Sequence, residues 1–134
     1  MMFFHKLAVV TIGLLTSVSS AHPGTASQID RINHLIEQNP QSQALMIKRA
    51  SLYIQKRDME KAQQDLGHAA SLGDPVETAF DMGKLQSKND EFKLAIASFQ
   101  RYLNRYPGHA LSFLYSAKAA RAIASGGASK TIPV

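Results

Sequence analysis

A chain of 134 residues has room for one domain, and with 45% apolar and 19% charged residues it can fill a core rather than stay disordered. It has no cysteine, which excludes a disulfide framework, a thiolate metal site, a cysteine nucleophile and a lipid-modified N-terminal cysteine. The formal charge of +5 is scattered among acidic residues, with no basic run longer than Lys48-Arg49 or Lys56-Arg57. That pattern lacks the dense footprint of a nucleic-acid binder and supports only a mild preference for acidic partners or anionic surfaces.

The first segment reads as an address. His5 and Lys6 give a short positive start, residues 7–18 (LAVVTIGLLTSV) are apolar, and Ser19-Ser20-Ala21 supplies the small residues of a cleavage site. This predicts a signal peptide over 1–21 and a periplasmic or secreted mature protein. The apolar run of about 12 residues is shorter than the ~20 that a spanning helix needs, so no stable membrane anchor is expected after cleavage.

Past a breaker-rich tail (22–25), six segments carry apolar residues at spacings of three and four, the mark of one buried helix face. Ile29, Ile32, Leu35 and Ile36 mark the first, before Asn39-Pro40. Leu45, Ile47, Ala50, Leu52, Tyr53 and Ile54 mark the second. Ala62, Leu66, Ala69, Ala70 and Leu72 mark the third, after the cap candidate Asp58. Gly73-Asp74-Pro75 then stops one helix and starts the next, with Asp74 as cap and Glu77 three residues on. Ala79, Phe80, Met82, Gly83 and Leu85 follow in the fourth. Asn89-Asp90 open the fifth (Phe92, Ala95, Ile96, Phe99, Tyr102, Leu103), which Pro107-Gly108 end. Leu111, Leu114, Tyr115, Ala117 and Ala120 mark the sixth, fading near Ser125-Gly126-Gly127. Nothing alternates like a half-buried strand, so the expected class is all-α.

Laid on itself, the chain repeats. Ala50 falls on Gly83, Ala62 on Ala95, Leu66 on Phe99 and Ala69 on Tyr102, each pair 33 apart. A helix-turn-helix unit of this length is the signature of a stacked helical repeat. Small residues let the two helices of one hairpin approach, and a larger residue one turn later fills the gap to the next hairpin.

This pattern resembles the tetratricopeptide repeat family. Residues 43–74 fit a first full unit with Ala50, Tyr53, Ala62, Leu66 and Ala69, its proline displaced to Pro75; 76–108 fit a second with Gly83, Ala95, Phe99 and Pro107. The second departs at Gln86, where the family often has an aromatic, and at Tyr102, where it often has a small residue, so weaker packing is expected there. Residues 26–40 resemble the second half of a preceding unit (Ile32, Leu35, Pro40), and 109–124 the first helix of a following one, with Ala117 at the small position. The resemblance implies a short right-handed α-solenoid over 26–124, of about six helices, and a flexible tail over 125–134.

It also implies a concave groove lined by first helices: Ile47, Ser51, Ile54 and Gln55; Phe80, Asp81, Lys84 and Lys88; Leu114, Lys118 and Arg121. Such a groove has an apolar floor and basic edges, and suits a peptide or protein segment with apolar anchors and an acidic residue. The lysine and asparagine with which some family members clamp a terminal carboxylate are replaced by Ile47 and Ser51, so that clamp is absent.

No hydrolase, phosphate-loop or His-Glu-x-x-His motif occurs, and no pair of carboxylates is set out as acid and base, so no enzyme activity is expected. Cleavage after Ala21 would make His22 the N-terminus, whose amine and imidazole could chelate copper, with His34, His68 and His109 as further ligands. The plainer reading of His22 is a polar residue in a tail, and no cofactor is expected. The functional expectation is a periplasmic scaffold or adaptor that binds a protein or peptide. The alternative is a subunit of an envelope assembly or homo-oligomer held through its terminal helices, since helix six is apolar at Phe113 and Ile123 where true end helices carry a polar outer face.

Overall fold

The computed structural model describes residues 24–129; the expected leader, His22 and residues 130–134 lie outside them. Within those residues the chain is all-helical, with six α-helices and no strand: α1 (Thr25–Gln38), α2 (Gln43–Gln55), α3 (Met59–Leu72), α4 (Ala79–Lys88), α5 (Phe92–Arg105) and α6 (Ala110–Ser129). Caps explain several starts. Ser42 accepts from the Leu45 N–H at the head of α2, and Asp58 from the Lys61 N–H at the head of α3.

Three boundaries differ from expectation. Pro75–Thr78 forms a 3-10 turn before α4, because Asp74 caps the Val76 N–H while the Thr78 hydroxyl bonds back to the Pro75 carbonyl. Glu77 does not close a capping box there; its carboxylate accepts from the Tyr106 hydroxyl. The fifth helix begins at Phe92, after Asp90 has taken a left-handed conformation, and α6 runs past its glycines to Ser129.

The turns that close α2 and α4 are copies of one another. Arg57 and Asp90, 33 apart, both have φ of 61° and are the positive-φ residues of the described chain. Asp58 N–H bonds the Tyr53 carbonyl and Glu91 N–H the Gln86 carbonyl, each at 2.9 Å; Arg57 and Asp90 N–H bond Ile54 and Ser87. This is the Schellman pattern, with a side chain where glycine is preferred. Left-handed backbone costs a β-carbon roughly 1–2 kcal/mol, less for Asp than for Arg. Arg57→Gly is therefore expected to raise the unfolding free energy by about 1 kcal/mol and Asp90→Gly by about half that, in urea titrations. A loss in both variants would mean that the turns are not strained.

α2 pairs most extensively with α3, α4 with α5, and α5 with α6, while α2 also touches α4 and α4 touches α6. The small residues of the 33-residue register occupy the closest approaches: Ala50, Ala62 and Ala95 are fully buried, as are Leu66 and Phe99 one turn later. Tyr102 packs against other rings. Phe80, Phe99, Tyr102, His109 and Tyr115 form one aromatic cluster around Phe80, with ring centroids 4.7–5.9 Å from it. Gln86 likewise accepts a hydrogen bond from the buried Ser98 hydroxyl at 2.7 Å, tying α4 to α5.

At the other end, Arg49 on α2 donates through Nε and a terminal nitrogen to both oxygens of Asp65 on α3, each at 2.7 Å, and through its other nitrogen to Asn33 on α1 at 2.9 Å. The hydrogen bonds to Asp65 hold the guanidinium above its ordinary pKa, against the opposing effect of burial. Asp65 and Ser98 are 33 apart, so each hairpin carries a buried polar tie at one position of its second helix, to partners at different positions of the first.

The face of α6 is turned relative to expectation. Ser112 and Ala119 are buried and Tyr115 is half-buried, whereas Ala117 and Ala120 are exposed. Leu111, Phe113 and Leu114 are 49%, 56% and 48% exposed. The physical reason is the aromatic cluster: bulky rings arrive from α4 and α5, so α6 approaches with its small residues.

Candidate functional site

α2, α4 and α6, the first helices of the expected units, converge on a cleft of about 490 Å3. The side chains that line it are Ser51, Ile54, Gln55 and Arg57 from α2 and its closing turn, Lys84, Ser87 and Lys88 from α4, Phe92 from the start of α5, and Tyr115, Lys118 and Ala119 from α6. Of the expected groove residues, the fold therefore brings together Ser51, Ile54, Gln55, Lys84, Lys88 and Lys118.

The others lie elsewhere. Ile47 is half-buried and outside the cleft, and Phe80 is the hub of the aromatic cluster. Asp81 is buried beside Lys84. Leu114 and Arg121 are exposed away from the cleft, because the inward face of α6 is set by Ser112, Tyr115 and Ala119.

Arg57, Ser87, Phe92, Tyr115 and Ala119 were not expected in the groove. The repeat register holds the signal for one of them: 33 residues beyond Ile54 stands Ser87, as Lys84 stands beyond Ser51 and Lys88 beyond Gln55. Arg57 enters because the left-handed turn swings it off the end of α2, a conformation that no residue type at 57 announces.

Lys84 has a different part from the other cations. Its Nζ lies 2.5 Å from an Asp81 oxygen, donates to Ser51 Oγ at 2.9 Å and stands 5.0 Å from the centre of the Phe80 ring. It is a strut between α2 and α4, satisfied within the protein.

Lys118 stands 5.4 Å from the centre of the Tyr115 ring. Arg57 and Lys88 form no ion pair among the described residues, and no carboxylate lines the cleft. The hydroxyl oxygen of Ser87 is buried and has no hydrogen-bond partner. The two tyrosines with raised pKa lie outside the cleft: Tyr102 through burial, with Glu77 and Asp81 adding to it, and Tyr106 chiefly through its hydrogen bond to Glu77.

Among the described residues no group of three or more His, Asp or Glu side chains is placed to hold a metal ion. His34 pairs with Glu37 on α1, His68 is exposed on α3, and His109 bonds Ser112 through Nδ1 at the head of α6. No described helix is long and apolar enough to cross a membrane. No protein-family model matches the chain, and no curated protein matches it.

Proposed function

We propose that this chain is a non-catalytic interaction module of the cell envelope, a short right-handed stack of two tetratricopeptide-like hairpins with a half-unit at each end, which holds a segment of a partner protein in the cleft between α2, α4 and α6. The observation that carries the reading is the cleft itself: one helix from each successive unit contributes, and the lining combines an apolar floor (Ile54, Phe92, Ala119) with cations at the rim. Recurrence of the α2 closing turn at α4, 33 residues on, supports the repeat architecture that such a cleft needs. The leader supports a periplasmic or secreted destination.

A second reading has its own observation. The outward face of α6 exposes Leu111, Phe113 and Leu114, an unusual load for an end helix, and suits assembly through that helix with a second copy or an envelope partner. One experiment weighs the two. In cells that make the protein, p-benzoylphenylalanine at Gln55 in the cleft is expected to cross-link a partner on irradiation, and the same probe at Gln64, exposed on α3, to give none. Adducts from Phe113 with none from Gln55 would replace the cleft reading with assembly through α6.

A further inference from the structure

We infer that the cleft seats an acidic side chain of the partner segment at one place, the rim bounded by Arg57, Lys88 and Lys118, and that this anion, more than the apolar floor, decides which segments bind. The inference rests on the cleft being the partner site.

Three helices bring these cations to one cavity: Arg57 follows the end of α2, Lys88 ends α4, and Lys118 lies midway along α6. Elsewhere the protein matches buried charge carefully. Arg49 is paired with Asp65 and Lys84 with Asp81. The three cleft cations are exposed instead, and no carboxylate stands among the lining residues. Like charges gathered over low-dielectric walls raise the local positive potential and draw in anions.

A plainer account exists for two of the three. Arg57 and Lys88 lie at helix C-termini, where cations complement the helix dipole. That account does not reach Lys118, which sits mid-helix above Tyr115. A carboxylate supplies a countercharge to the three cations together, and the Gln55 amide adds a hydrogen-bond donor at the same cleft. Ile54, Phe92 and Ala119 beneath the rim require an apolar residue next to the acid. The site differs from the family's terminal-carboxylate clamp, whose two positions hold Ile47 and Ser51 here.

The test uses the full chain, 15N-labelled, titrated with nine-residue peptide pools that are N-acetylated and C-amidated. In each pool Leu, Ile or Phe alternates with Asp/Glu, with Asn/Gln, or with Lys. A fourth pool repeats the Asn/Gln composition with a free C-terminal carboxylate. The acidic pool is expected to shift the amide resonances of Ser51, Ser87 and Ala119 with an affinity at least tenfold above the Asn/Gln pool, and the Lys pool to leave them in place. Lys88→Glu/Lys118→Glu, both at exposed positions, is expected to reverse the preference towards the Lys pool, while Lys48→Glu on the exposed side of α2 leaves it unchanged. Equal affinity for the acidic and Asn/Gln pools, within threefold, overturns the anion assignment and leaves the cleft as the partner site. A free-carboxylate pool as strong as the acidic one overturns the side-chain assignment in favour of a chain terminus. Cleft amides unmoved by every pool at millimolar concentration overturn both the inference and the reading beneath it.

Discussion

Arg49→Met is expected to lower the unfolding free energy by about 3–5 kcal/mol, the usual loss when one partner of a buried ion pair is removed. The reason is what remains. The Asp65 side chain is 9% exposed and Arg49 supplies the hydrogen bonds to both of its oxygens, so without the guanidinium a carboxylate stays buried and unpaired. Asp65→Leu should lose less, because the guanidinium it strands is 21% exposed and keeps its bond to Asn33. Replacing both, as Arg49→Met/Asp65→Leu, is expected to recover most of the loss, since well-packed apolar pairs of similar volume substitute for buried ion pairs at little cost. Urea denaturation of the four proteins gives the coupling directly. With a total stability of order 5–15 kcal/mol for a domain, an Arg49→Met variant within about 1 kcal/mol of the parent would show that the tie between α1, α2 and α3 is ornamental.

Gly83→Leu is expected to cost about 3 kcal/mol, the upper part of the usual range for overpacking. A β-carbon at 83 would lie 2.5 Å from Phe99 Cε1, 2.7 Å from Cδ1 and 2.8 Å from Cζ. The ring cannot move aside: it is fully buried, with Phe80 and Tyr115 at 5.9 Å. Even Gly83→Ala is expected to lose stability, by about 1 kcal/mol, because the strain outweighs the roughly 1 kcal/mol that alanine gains over glycine within a helix. Gly67→Ala is the control, since nothing lies within 4 Å of the added carbon there, and it should gain about 0.5–1 kcal/mol. The register also supplies a compensating change. At the equivalent places the first hairpin holds Ala50 and Leu66, so Gly83→Ala/Phe99→Leu copies a pair already present in this chain. The double variant is expected to lose less than the sum of its parts by about 1 kcal/mol. Strict additivity in thermal or urea melts would mean that the two positions do not share the space.

What the sequence reveals follows from the range of the interactions involved. Helix number, the breaks at Asn39, Asp58 and Asn89, and the small-small-large register depend on residues close together or on spacing, and Ala50, Ala62, Leu66, Gly83, Ala95 and Phe99 take the buried places that the register assigns. The face of α6 is not legible in that way. Its apolar pattern, Leu111, Leu114 and Tyr115, points to one face, yet the helix packs through Ser112, Tyr115 and Ala119, because rings from α4 and α5 already fill the space. Buried Asp65 and Asp81 are hidden for a related reason: a carboxylate reads as surface until the cation facing it is known, and Arg49 and Lys84 pair with them only in three dimensions or across a helix turn. The resemblance points to the three helices that line the cleft, but Ile47, Phe80, Asp81, Leu114 and Arg121 stand outside its lining, and no residue type marks the left-handed turn that brings Arg57 to it.

α6 leans on α5 through one seam, with Tyr115 and Ala119 against Phe99 and Ala95, and meets α4 only lightly. α2, by contrast, is gripped by α1, α3 and α4. The two sides of the cleft are thus held unequally, α2 by three helices and α6 mainly by its seam with α5. On the proposed reading, substitutions that soften that seam are expected to change how a segment is held in the cleft before they unfold the domain.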